Sequence, residues 1–90
     1  MKIEEVKEKL IQLIPNLFKD NGFEVKDIET CDLVEDLGMD SLIFMTLIVE
    51  LEEVFELNIP DELLLVENFN RFDKILHIIA TVVGNQISEN

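Results

Sequence analysis

Against 20 acidic residues the 90-residue chain sets only seven basic ones, and it contains a single cysteine and a single histidine. A lone Cys31 cannot form an internal disulfide, which agrees with a reducing compartment. One histidine and one cysteine cannot make a zinc site. The longest apolar stretch, Leu42 to Val49, is interrupted by Thr46 and falls far short of the roughly 18 residues of a spanning helix, so no membrane span is expected. The first residues, Met1-Lys2-Ile3-Glu4-Glu5, turn acidic at once and lack the apolar core of a secretion signal. A cytoplasmic location is the expectation. Internal repeats and low-complexity segments are also missing.

What basic charge there is avoids the middle of the chain. Lys2, Lys7, Lys9, Lys19, Lys26, Arg71 and Lys74 all lie outside Asp27 to Asn70, a span that holds 13 of the 20 acids. With a net charge of -13, the field repels nucleic acid and anionic membranes and speeds encounter with basic patches on other proteins. At 48% hydrophobic residues the chain is too apolar for a disordered acidic tail. One small domain is expected over residues 1–84, burying about 60 to 65% of its unfolded surface, with residues 85–90 as a frayed tail.

Helical spacing organises the apolar residues. Ile3, Val6, Leu10, Leu13, Ile14 and Leu17 recur at three and four and mark one face of a first helix. Pro15 lacks an amide hydrogen and should kink or stop it near Ile14, with a further turn over Asn16 to Lys19 left open. Asp20-Asn21-Gly22 reads as a turn that opens a long connection to Asp40, pinned by Phe23, Val25, Ile28, Leu33 and Leu37, with a helical turn at 32–36. A second helix is predicted from Ser41 to Phe55 or Glu56, its core face made by Phe44, Leu47, Ile48, Leu51, Val54 and Phe55, with Ile59 packing beyond. Pro60-Asp61-Glu62 suits the start of a short third helix reaching about Val66. Asn70 is the expected N-cap of a fourth, whose apolar face includes Phe72, Ile75 and Ile79 and which Gly84 should end. The fold class is therefore all-α, a small four-helix bundle with a short third helix and a long loop between helices 1 and 2.

The chemistry concentrates in Asp36-Leu37-Gly38-Met39-Asp40-Ser41-Leu42. Asp40 can cap the second helix, accepting from free amides of its first turn and interacting well with the positive end of the helix dipole. Gly38 permits the sharp turn before it. Ser41 is thereby held exposed at the first turn. Leu42 and Val49 lie off the core stripe, beside the serine. The glutamates toward the C-terminal end of this helix are disfavoured there by the dipole, so helix stability does not account for them and a partner surface would.

Asp40-Ser41-Leu42, with Leu33 to Gly38 before it and Leu47, Glu50-Leu51-Glu52, Phe55 and Ile59-Pro60 after it, resembles an acyl carrier protein over residues 28 to 83. The resemblance implies that Ser41, flanked by Asp40 and Leu42, carries a 4′-phosphopantetheine arm transferred from coenzyme A by a phosphopantetheinyl transferase. It also implies that the arm's thiol holds acyl groups as thioesters. By the same resemblance Leu42 and Val49 contact partner enzymes, with Glu52, Glu53 and Glu56 as ionic neighbours meeting basic docking patches on acyl-loading and acyl-processing enzymes. Ile43 and Thr46 stand where that family often has acids. That departure counts against interchange with fatty-acid synthase enzymes and leaves open a polyketide, aminoacyl or peptidyl pathway or a specialised lipid.

Other chemistry finds little support. Ser41 as a nucleophile would need a base, and His77, between apolar neighbours in a helical stretch, reads as a partly buried structural histidine. A Cys31–His77 thiol pair is conceivable, but a packed lone cysteine is the ordinary case. Met39 either flanks the arm, as the resemblance implies, or fills a gap. Asp32, Asp36 and Asp40 recur every fourth residue, which misses the alternating ligands of a calcium loop, so no metal site is expected. The chain reads as no enzyme but as a monomeric carrier in lipid or polyketide-type biosynthesis. Its alternatives are an aminoacyl or peptidyl carrier and an unmodified acidic interaction module.

Overall fold

The computed structural model describes residues 2–18 and 28–87, with side chains placed through residue 84. Among the described residues there are three α-helices and no strand: α1 (Ile3–Leu17), α2 (Ser41–Phe55) and α3 (Phe72–Ile87). α1 packs against both other helices. The predicted turn at Asp20-Asn21-Gly22, the anchors Phe23 and Val25, and the last residues 88–90 lie outside the described residues.

The predicted periodicity becomes the core. Val6, Leu10 and Ile14 of α1, Leu47 and Leu51 of α2, and Ile75 and Ile79 of α3 are almost fully buried, together with Phe18 and Phe69. Each such side chain contributes about 1.5–3 kcal/mol relative to exposure. The Phe44 and Phe69 rings meet at 5.6 Å and a 60° tilt, joining α2 to the segment before α3 in a favourable aromatic geometry. No polar or charged side chain is buried among the described residues. Val54, expected inside, is 37% exposed, because the stripe rotates past it to Leu51 and Phe55.

α1 contains Pro15 and runs to Leu17, taking the further turn left open beyond Ile14, and three other expectations about element ends are corrected. Proline this close to the end removes a single ladder bond, and the extra turn lets Phe18, whose amide donates to the Pro15 carbonyl at 3.1 Å, bury its ring completely. The short third helix does not form. Asp61–Leu63 and Val66–Asn68 are instead two separate 3₁₀ turns, too short for an α-helical ladder, so the four-helix bundle reduces to three α-helices. Gly84 does not end the last helix, which continues through it to Ile87. Glycine ends a helix only when its backbone turns left-handed, and here it stays in the ladder.

Asn70, finally, is not the cap of α3. The first backbone bond of that helix runs from the Ile75 amide to the Arg71 carbonyl at 3.1 Å. The Asn70 side-chain amide donates instead to Asp32 Oδ2 at 3.3 Å, across 38 residues of sequence. Backbone joins the same two segments, since the Leu33 amide donates to the Asn70 carbonyl at 2.7 Å and Asp32 and Arg71 form an isolated antiparallel bridge. The connection before α2 is thus fastened to the start of α3. Its apolar anchors Ile28, Leu33 and Leu37 are buried, as their spacing predicts.

Candidate functional site

The turn at 32–36 forms because aspartates supply acceptors where the backbone has spare donors. Asp32 Oδ1 accepts from the amides of Val34 at 2.9 Å and Glu35 at 2.8 Å, and Asp36 Oδ2 accepts from the Asp32 amide at 2.8 Å. Backbone bonds from Asp36 to the Asp32 carbonyl (2.8 Å) and from Gly38 to the Val34 carbonyl (3.0 Å) complete it. These bonds give the four-residue aspartate spacing a structural reason. Among the described residues no group of three or more His, Cys, Asp or Glu side chains is placed to hold a metal ion.

Gly38 then reverses the chain at φ 74°, in the left-handed region that favours glycine, as its position before the helix predicts. Met39 is buried at 5% exposure and its amide donates to the Leu33 carbonyl at 2.8 Å, so this methionine fills the gap beneath the turn. Asp40 follows in extended conformation, and its Oδ1 accepts from the Ile43 amide at 2.8 Å while its carbonyl takes the first ladder bond of α2, from Phe44. A cap of this kind contributes about 1 kcal/mol.

Ser41 is the first residue of α2 and is exposed. Its own amide and that of Leu42 precede the ladder and the cap bond. Beside it Leu42 is 75% exposed and Val49 50%, as their position off the core stripe predicts. Met45, 60% exposed, falls between them at the same three-and-four spacing. Sequence reasoning missed it, although its offset from Leu42 was a sufficient signal. Thr46 turns its hydroxyl back onto the Leu42 carbonyl at 3.0 Å. The first two turns of α2 therefore present an apolar stripe and no acid.

Acids begin in the third turn, and they are not equivalent. Glu53 and Glu56 are exposed, and neither has an ionic partner among the described residues. Glu52 is half-buried, and its Oε2 accepts from the Ile59 amide at 3.0 Å. It closes the α2 terminus rather than standing free. Glu56 ends the helix in left-handed conformation at φ 51°, with the Leu57 amide reaching back to the Glu52 carbonyl at 3.1 Å.

The remaining candidates stand apart from this arrangement. His77 is exposed on α3 and not partly buried; it lines a shallow recess of about 570 Å³ with Asn68, Asp73, Lys74 and Ile78. Neither Ser41 nor Cys31 lines that recess. Cys31 is half-buried and its Sγ lies 3.8 Å from the Ile28 carbonyl. Burial pushes its thiol above the ordinary value of 9.0, and the Asp36 carboxylate pushes it further, against the smaller pull of Arg71. A thiol so held is a poor nucleophile. No helix among the described residues is long and apolar enough to cross a membrane.

The capped, exposed Ser41 behind its glycine turn lies within the span that the family comparison covers. Residues 9–70 match the family described as the phosphopantetheine attachment site. The chain belongs to the acyl carrier protein family. It is 43% identical over 54 residues to an acyl carrier protein of Phytoplasma mali, covering 60% of this chain and 62% of that protein. An acyl carrier protein of Rickettsia bellii is 33% identical over 63 residues, covering 68% of this chain and 73% of the relative. The D-alanyl carrier protein of Streptococcus uberis is 38% identical over 71 residues, covering 79% and 86%. No solved structure gives a significant match.

The carrier's prosthetic group is accordingly phosphopantetheine. The residues around Ser41 fit such a group: an exposed hydroxyl to esterify, backbone amides at a helix start suited to an anion, and exposed apolar side chains alongside. Carrier domains of this kind work with phosphopantetheinyl transferases and biosynthetic enzymes rather than as catalysts.

Proposed function

We propose that this carrier bears 4′-phosphopantetheine on Ser41 and presents acyl groups to partner enzymes of lipid or polyketide-type biosynthesis. The observation that supports this reading is the exposed Ser41 at the first position of α2, held behind Gly38 by the Asp40 cap. When attached, the arm supplies a terminal thiol that holds acyl groups as thioesters. The chain's own residues provide the rest. Asp40 and Gly38 fix the hydroxyl, Leu42, Met45 and Val49 offer an apolar contact beside it, and Glu53 and Glu56 extend an acidic rim to a basic patch. In this reading the carrier acts as the substrate of its enzymes, and catalysis on the cargo is theirs.

A second reading concerns the cargo. The D-alanyl carrier protein relative aligns over more of this chain than either acyl carrier relative above, which favours an aminoacyl group as an alternative load. The apolar first turns of α2 are compatible with either. Cargo is read by recovering the species released from thioester linkage on protein isolated with its arm.

The single cysteine makes attachment simple to test. In a Cys31→Ala background the chain has no thiol, so incubation with coenzyme A and a phosphopantetheinyl transferase, followed by desalting, should create one titratable thiol per chain. Adding Ser41→Ala should abolish it. A thiol gained without Ser41, or none gained with it, rejects the assignment.

A further inference from the structure

We propose that the Asp32–Asn70 pair is a positioning device for Ser41, through which the start of α3 sets where the hydroxyl is presented. This rests on the reading of Ser41 as the attachment site. The linkage passes through one buried residue. Leu33, with no exposed surface, receives the start of α3 on one side of its backbone and supports the serine turn on the other: its amide donates to the Asn70 carbonyl at 2.7 Å and its carbonyl accepts from the Met39 amide at 2.8 Å. Met39 adjoins Asp40, whose carboxylate holds the Ile43 amide at 2.8 Å and whose carbonyl starts α2.

Side chains fix the register of this relay. Asp32 uses Oδ1 for the Val34 and Glu35 amides and turns Oδ2 to Asn70 Nδ2 at 3.3 Å. Arg71 adds a guanidinium bond from Nη2 to the Thr30 carbonyl at 3.1 Å. Asn70 Oδ1 is shut off from solvent and meets no hydrogen-bond partner among the described residues, so the side chain is oriented by its Nδ2 contact with Asp32. Neither Asp32 nor Asn70 is placed at the serine itself, so both act at a distance.

The Asn70 side chain supplies the test. Asn70→Asp sets two carboxylates against each other and should part the segments. Adding Asp32→Asn restores a donor–acceptor pair of reversed polarity, while the remaining amide oxygen still serves Val34 and Glu35. In modification by a phosphopantetheinyl transferase, Asn70→Asp should lower kcat by about tenfold, because the hydroxyl is misplaced. KM should stay within twofold, because the outer face of α2 is untouched. The double variant should recover most of kcat, as coupled sites do. If Asn70→Asp does not fold by circular dichroism, Asn70→Ala, which adds no repulsion, should show the same kcat loss with KM kept.

Folded variants modified with wild-type kcat, or a loss that falls on KM, or one that the double variant fails to recover, would overturn the proposal. Failure of the underlying reading looks different: the wild type would then gain no arm, or would gain one without Ser41.

Discussion

Asp40 and Glu52 are both carboxylates on the Ser41 side of the molecule, yet each is engaged by a backbone amide, Ile43 for one and Ile59 for the other. Both hold α2 at its ends, and of the acids expected to meet a partner Glu53 and Glu56 are the ones whose side chains have no ion pair among the described residues and no cap bond. Cys31 shows how a half-buried residue reports on the fold. Its thiol is raised by burial and by Asp36, so the native state holds the proton more tightly than the unfolded chain does. Stability from this group is full below the ordinary value of 9.0 and is lost as pH rises from there through the native value. Urea midpoints measured from pH 8 to 10 should therefore fall more steeply for the wild type than for Cys31→Ser; parallel curves would show that the thiol is not held this way.

At the scale of the element, α2 decides the site and was the most legible part of the sequence. Its bounds, Ser41 to Phe55, follow from a capping aspartate at one end and from core residues at threes and fours up to the other. The connection before it was legible in its anchors Ile28, Leu33 and Leu37, but its tie to Asn70 was not, because Asn70 also matches the local signature of an N-cap and only the tertiary fold assigns its side chain to Asp32. Gly84 misled for a related reason: it is a local breaker, yet the helical backbone continues through it. Glu52 was indistinguishable from Glu53 in the pattern, and the structure separates them. Glu52→Lys should cost about 1–2 kcal/mol of stability through the lost Ile59 bond. Glu53→Lys should leave stability within about 0.5 kcal/mol and slow transferase modification at low salt, through the encounter rate. Denaturant titration together with rates across ionic strength checks both; equal stabilities for the two variants would contradict the distinction.

For the whole molecule the dominant quantity is the net charge of -13. Ion pairs offset little of it. Among the described residues Lys7 meets Glu29 at 3.2 Å and Arg71 meets Asp73 at 3.8 Å, both exposed and therefore weak. Lys9 lies over the Phe55 ring, and Lys74 donates to the Glu67 carbonyl. Like charges crowded at such a density repel one another. Raising salt from about 10 to 500 mM should raise the thermal midpoint, since screening relieves this repulsion. A flat or falling midpoint would show the acids to be well separated. Exposed charge acts mainly on encounter, which suits a carrier that must both meet and leave its partners.

The central claim, that this fold exists to present one modified serine, is tested most directly by intact mass. Apo-protein incubated with coenzyme A and a phosphopantetheinyl transferase should gain about 340 Da once per chain, and the Ser41→Ala protein, retaining Ser88, should gain nothing. An unchanged wild-type mass, or the same gain in Ser41→Ala, would contradict the account.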